Sequence, residues 1–215
     1  IFVGDGVVID IAVSLDLDNV LNLLDLNLAG RLQINTTNSV KTNYTGAIFD
    51  SNGNITGFGL VNFATPLAAH SFVLDLSGSL VLLDSLTISG RIIIAVANDA
   101  WQITIPSTQP LSVNVFNVFS ISLWGYIKSN GAFDLNLSGF VDFTLAGNGI
   151  RGTIGLHIRL DTDLNPDFIF TASGSVGAFL GGTELVGASV TLDARGNLGD
   201  SINISLTVRG TGTVI

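Results

Sequence analysis

The chain has 215 residues, a net charge of −9, no cysteine and no methionine, and 47% of it is hydrophobic, with a mean hydropathy of +0.58. That length holds one large β domain or two smaller ones. The lack of cysteine excludes a disulfide framework and any thiolate-bound metal, and the net acidity argues against nucleic acid, whose phosphates call for clustered Lys and Arg.

The longest apolar run, residues 92–97, falls far short of the ~18 residues of a membrane helix. With neither a leader sequence nor a Met, the chain reads as a mature product or a segment of something longer. Sixteen of the 17 acidic residues are Asp, and two of the eight basic residues are Lys. Glu and Lys populate exposed helices, whereas Asp, Asn, Ser, Thr and Gly populate turns and strand faces, so helix is not expected.

Residues 7–17 alternate, with Val7, Ile9, Ile11, Val13, Leu15 and Leu17 on one side and Asp10, Ser14 and Asp16 on the other. This period of two predicts a half-buried strand. Asp18 and Asn19 read as a turn, residues 24–34 as the next strand, and 35–43 as a polar loop or edge. Residues 45–63 read as a hairpin with its tip at 50–54 around an Asn-Gly pair. Pro66 marks a break. Residues 72–82 alternate again, Asp84 and Ser85 turn, and 86–96 return.

Shorter strands are expected at 101–105, 111–115 and 119–127, broken by Pro106 and Pro110. Residues 133–145, FDLNLSGFVDFTL, carry the cleanest pattern, and only Phe140 falls on the polar side. At ~3.3 Å per residue this strand would run about 40 Å. Strands at 154–160, 168–176, 188–194 and 202–208 complete the set. The spacing predicts an antiparallel meander of about 13 strands.

A degenerate repeat runs through these strands. LDLNLAGRL (24–32), FVLDLSGSL (72–80), FDLNLSGFV (133–141) and FIFTASGSV (168–176) share an apolar alternation followed by a small residue, Gly, any residue, and an apolar residue. LTISGRI (86–92) carries a shorter form. The glycines at 30, 78, 90, 139 and 174 keep no strict period, so a solenoid is not implied. They mark the step at which each strand is expected to bend.

With LDLNLAGRLQINTT (24–37) and ASVTLDARGNLG (188–199), the chain resembles β-rich repeat segments of giant bacterial surface and secreted, adhesin-like proteins. The same bending strands are similar to the β-groove repeats of AsmA/TamB-type envelope proteins. The first resemblance implies an adhesive or fibrous role, the second an apolar channel that carries lipid. Neither implies a catalytic residue.

Candidate chemistry is sparse. His70 and His157 have no metal-spaced partner and read as surface residues. Asp161, Asp163, Asn165 and Asp167 place alternate oxygen ligands along the most acidic loop. That pattern suits Ca²⁺, the one cofactor considered, but is better read as a solvated acidic turn. The 50–54 tip resembles the start of a Ca²⁺ loop, lacks the later Glu, and is better read as a hairpin turn. Sequons start at Asn35, Asn43, Asn54, Asn136 and Asn203. Trp101, Trp124 and Tyr126 raise a sugar-stacking patch against plain packing.

The expected fold is all-β: long, bent, mainly antiparallel strands forming a flattened sandwich or curled sheet in one elongated domain over 1–215, with a candidate sub-boundary near 106–110. Uncharged polar faces and unguarded strands suit association with like units. The expected function is a structural β subunit or repeat of an extracellular bacterial fibre, sheath or giant surface adhesin, acting by strand pairing and sheet packing between copies. A lipid-carrying β groove of the cell envelope is the alternative. Copies of itself or neighbouring repeats are the expected partners, with a lipid or glycan as candidate ligand. No enzyme and no nucleic-acid partner is expected. An outer-membrane barrel is disfavoured by the missing Tyr/Trp girdles and the Asp and Asn of the polar faces.

Overall fold

A computed structural model describes all residues except 1, 4, 21–23, 53, 84 and 214–215. Its described residues form no helix. They form fifteen strands: β1 (Phe2–Val3), β2 (Gly6–Val20), β3 (Leu24–Asn35), β4 (Lys41–Phe49), β5 (Ile55–Leu67), β6 (Ser71–Leu82), β7 (Leu86–Ala97), β8 (Ala100–Ile105), β9 (Leu111–Val115), β10 (Phe119–Lys128), β11 (Phe133–Leu145), β12 (Asn148–Leu160), β13 (Phe168–Leu180), β14 (Thr183–Gly196) and β15 (Ile202–Gly212). Thirteen of them make one sheet, ordered β1-β2-β3-β6-β7-β8-β10-β11-β12-β13-β14-β15, with β9 beside β7 and β10. The β4–β5 hairpin stands apart. The all-β, antiparallel expectation holds. Among the described residues nothing pairs β2 with β15, so the large sheet is open and not closed into a barrel.

Antiparallel neighbours twelve to fifteen residues long share register over almost their whole length, as in β11–β12, where thirteen successive pairs run from Phe133↔Leu160 to Leu145↔Asn148. Side chains alternate across a strand, so this register sorts the whole sheet into two faces. One carries Val7 to Leu17 of β2, Leu24 to Ile34 of β3, Phe72 to Leu82 of β6 and Leu86 to Val96 of β7, each taken at every second residue. It continues through β10, β11, β12, β13 and β14 to Ile202, Ile204, Leu206 and Val208 of β15. Between Val7 and Gly212 the side chains on this face within the paired strands are Leu, Ile, Val, Phe, Ala or Trp, or the hydrogen of Gly, except at the hairpin ends, where Asn148 lies opposite Leu145 and Thr183 opposite Leu180. The other face carries the Asp, Asn, Ser, Thr, Arg and His residues.

Very little of this apolar face is covered. Five hydrophobic residues are buried: Val8, Phe63, Leu67, Ala132 and Ile169. The accessible surface is 13322 Å², against roughly 9,400 Å² for a compact monomer of this mass. The difference is the second layer that a sheet ordinarily packs against.

Several boundaries differ from the expected ones. β2 runs through Asp18 and Asn19, where a turn is expected, to Val20. Gly53 of the 50–54 tip and Asp84 of the next turn lie outside the described residues. Around the tip, the Asp50 carboxylate accepts the Asn52 and Asn54 amides at 2.9 Å each. These bonds, that of Asn54 first, hold its pKa below the usual carboxylate range. Pro66 does not break β5, which continues to Leu67. Residues 106–110 do not separate two sheets, because β8 and β9 lie end to end between β7 and β10.

Candidate functional site: an apolar trough

The repeat glycines converge on one place. Gly78 of β6 pairs directly with Gly90 of β7 and, on its other side, with Leu28 of β3, while Gly30 pairs with Leu76. Three missing side chains in adjacent strands open a trough of about 530 Å³ on the apolar face. Its walls are Val13, Leu15, Leu26, Leu28, Leu76, Leu80, Ile88, Ile92 and Leu111. The glycines form a tight floor: a Cβ on Gly78 would lie 2.4 Å from the Asn27 carbonyl oxygen and 2.5 Å from Leu28 Cδ2. At Gly90, whose φ is +151°, it would lie 2.7 Å from Leu111 Cα. The volume is in the range of small-molecule sites, and no ionisable group reaches the lining. Leu28 and Leu76 on its rim are 45% and 49% exposed, so an occupant would be held by dispersion and dehydration alone.

Behind the trough, on the opposite face, charges alternate across four neighbouring strands. Arg31 holds Asp10 with two hydrogen bonds, 2.8 Å from Nε and 2.6 Å from Nη2. Arg91 holds Asp75 in the same way, at 2.8 and 2.5 Å, and Arg31 faces Asp75 in register. Further along come Asp134–His157 at 3.0 Å, Asp142–Arg151 at 3.1 Å and Asp193–Arg195 at 2.7 Å. His157 is therefore no isolated surface residue: its ring meets a carboxylate across the strand pair. These pairs neutralise part of the charge on the polar face.

The proposed Ca²⁺ ligands are not gathered into one site. Asp161 is fully buried and spends Oδ2 on Tyr126 Oη at 2.5 Å and Lys128 Nζ at 2.8 Å. Those two donors, Lys128 first, draw its pKa down to about 2. Burial, then the same hydrogen bond, pushes Tyr126 up to about 12. Asp167 accepts the Leu198 amide at 2.7 Å. Asp163 and Asn165 are exposed. Among the described residues no group of three acidic or His side chains is placed to hold a metal ion.

The aromatic trio is split as well. Trp101 pairs with Val96 on the apolar face, while Trp124 and Tyr126 lie on the polar one. The Asn35 sequon is buried, with Asn35 inaccessible to solvent.

The bending glycines were legible in the sequence, but the trough was not, because its floor joins residues 30, 78 and 90 from three strands. The ion pairs were missed because partners lie sixteen or twenty-one residues apart. Opposite charges on facing polar sides of successive strands were the available signal. No family model, no curated protein and no solved structure matches this chain.

Proposed function

We propose that this chain is a lipid-carrying β-sheet module of the cell envelope or cell surface, whose apolar face takes acyl chains along the glycine-floored trough. One observation carries the reading: a face that is apolar along nearly the whole sheet, partly to fully exposed and hollowed at Gly30, Gly78 and Gly90, lies back to back with a polar face that carries several paired charges. A fibre subunit held by sheet packing would bury both faces, and only one here calls for a cover. An acyl chain suits a trough whose lining is apolar apart from Ser77, Ser79 and Ser89 and holds no charged side chain.

The test is titration of the purified protein with a dansyl-labelled fatty acid. Saturable binding is expected, weakened at least tenfold by Leu28→Asp or Leu76→Asp. Both positions are about half exposed, so the variants should still fold. Folded protein that gives no saturable signal would sink the reading.

A second reading, a structural subunit of an extracellular fibre, sheath or giant surface adhesin, is favoured by one feature. All eleven residues of the edge strand β15 are exposed, and they include neither Lys nor Pro to guard that edge. Open-ended growth by β15 onto β2 of the next copy is less natural. From β2 to β15 the sheet has eleven positions, so these two strands run the same way. Joining them with the apolar face kept on one side would be a parallel pairing.

A further inference from the structure

We infer that Leu111 is the end stop of the trough: it closes the β9 side, receives the methyl terminus of an acyl chain laid across the strands, and sets the longest chain that fits. The inference rests on the lipid-carrying reading and adds to it an orientation and a length limit.

The trough runs across the strands, not along them. One row of facing residues crosses it, from Leu15 of β2 to Leu28 of β3, Gly78 of β6 and Gly90 of β7. Leu111 of β9 stands next beyond Gly90 and completes the lining. Five neighbouring strands supply the walls, and at ~4.8 Å apart they span about 20 Å, the length of an extended long-chain acyl group. Beyond Leu111 the same row continues with Leu123 of β10 and Leu137 of β11. The paired glycines therefore end against a run of leucines, and the hollow ends with them.

The backbone fixes the stop in place. β8 ends at Ile105 and β9 begins at Leu111, so residues 106–110 interrupt the ladder beside Gly90. β7 pairs β9 as far as Ser89↔Ser112 and β8 from Ile93↔Thr104 onward. Between these stretches the Arg91 amide donates to the Gln109 carbonyl at 3.1 Å, and the Gln109 amide to the Pro106 carbonyl at 3.1 Å. The loop so held lays Leu111 over Gly90. A Cβ on Gly90 would lie 2.7 Å from both Leu111 Cα and Leu111 Cδ2. Leu111 is half-buried, whereas Leu15 at the far wall is 45% exposed. An ionised carboxylate is not left in an apolar dead end. The methyl terminus takes that end, and the carboxylate stays among the more exposed walls.

Displacement of a dansyl-labelled fatty acid by unlabelled octanoate, laurate, myristate, palmitate, stearate and arachidate tests this. Wild-type affinity should rise about fourfold for each further methylene that is covered, then level off near palmitate, where the chain meets Leu111. Leu111→Ala should move the levelling-off to longer chains, and Leu111→Phe to shorter ones. Phe143→Ala, on the same face away from the trough and 66% exposed, should leave it where it is. Circular dichroism checks that each variant is folded. As a readout that needs no variant, palmitate carrying a diazirine at its methyl end should label the wild-type protein around Leu111 on photolysis, located by mass spectrometry of the digest. Affinity that climbs through the whole series without levelling, a levelling-off that neither Leu111 variant moves, or a label centred on β2 would each overturn the end stop while leaving lipid binding in place. Folded wild-type protein that binds none of these fatty acids would remove the lipid-carrying reading, and the end stop with it.

Discussion

The two ends of the sheet are built from the same kind of strand and are buried very differently. At the β3–β6 end, the chain leaves the sheet at Asn35 and returns at Ser71, after the β4–β5 hairpin. There Asn35, Thr37, Gln33 and Ser71 are buried beside the apolar cluster of Val8, Phe63 and Leu67. The Asn35 amide explains how polar groups are tolerated in that position. Its Nδ2 donates to the carbonyls of Ser39, Leu67 and Ala68 at 2.9, 3.1 and 2.8 Å. Its Oδ1 accepts from the amide and hydroxyl of Thr37 at 3.0 and 2.7 Å. All eleven residues of β15 are exposed. Side chains at the first end are buried where residues 67–71 fold back over them.

Asn35→Ala attacks the covered end where it is strongest. It would take Nδ2 from three carbonyls, of which Ser39 keeps the Thr37 hydroxyl and Ala68 the Ser71 hydroxyl, and would deprive the Leu67 carbonyl and the Thr37 amide of this partner in a dry site, at a cost of about 2–3 kcal/mol. Asn203→Ala, on the uncovered strand, should stay within about 0.5 kcal/mol. Urea denaturation of the two variants checks the contrast, and equal losses would mean that the Asn35 junction is not the tight end of the molecule.

The repeat glycines sharpen the same comparison at a smaller scale. Gly78 and Gly174 hold the same position in their repeats. A Cβ at Gly78 collides with Asn27 and Leu28 backbone and side-chain atoms, whereas at Gly174 the nearest atom is the Thr153 oxygen at 3.6 Å. Gly78→Ala should therefore cost about 1–3 kcal/mol by overpacking. Gly174→Ala should be neutral or stabilising by up to about 1 kcal/mol, since alanine restricts the unfolded chain. Thermal melts of the pair would read both signs at once.

These contrasts mark how far the sequence could be read. Alternation alone located β2, β3, β6, β7 and β11 almost to the residue, because a fully apolar face leaves a strong period of two. The pattern failed where glycine stands in for a side chain, at Gly152 on the apolar face and at Gly149, Gly177 and Gly187 on the polar one. Residues 148–153 of β12, 177–180 of β13 and 183–187 of β14 are strand, yet Gly149, Gly152, Gly177 and Gly187 erase their alternation. Polarity misled at 35–37, where the Asn and Thr of a presumed loop are the most buried polar residues of the chain. Burial there comes from residues 67–71, thirty positions away, and local pattern carries no information about that return. The acidic loop misled for a related reason, since the partners of Asp161 are Tyr126 and Lys128, two strands earlier.

That last cluster makes the mildest prediction, because its contribution is constant around neutral pH and changes only in acid and alkali. The folded pKa of Asp161 lies near 2, below its ordinary value of 3.8. A depressed carboxylate contributes stability that is fully present above the unfolded value and is lost as pH falls through the folded one. The protein should therefore lose this contribution between about pH 4 and pH 2. Tyr126 has the opposite sign: its folded pKa is raised to about 12, so its contribution holds below about pH 10 and fades as pH rises toward 12. Tyr126→Phe removes one donor to Asp161 and the titrating phenol together. It should move the acid unfolding midpoint upward by a fraction of a pH unit and flatten the alkaline limb, while Lys128→Met should move only the acid limb. Acid and alkaline unfolding curves followed by circular dichroism would separate the two. A Tyr126→Phe protein whose alkaline limb matches the wild type would place the loss of stability above pH 10 on some other group and leave the Tyr126–Asp161 contact as packing alone.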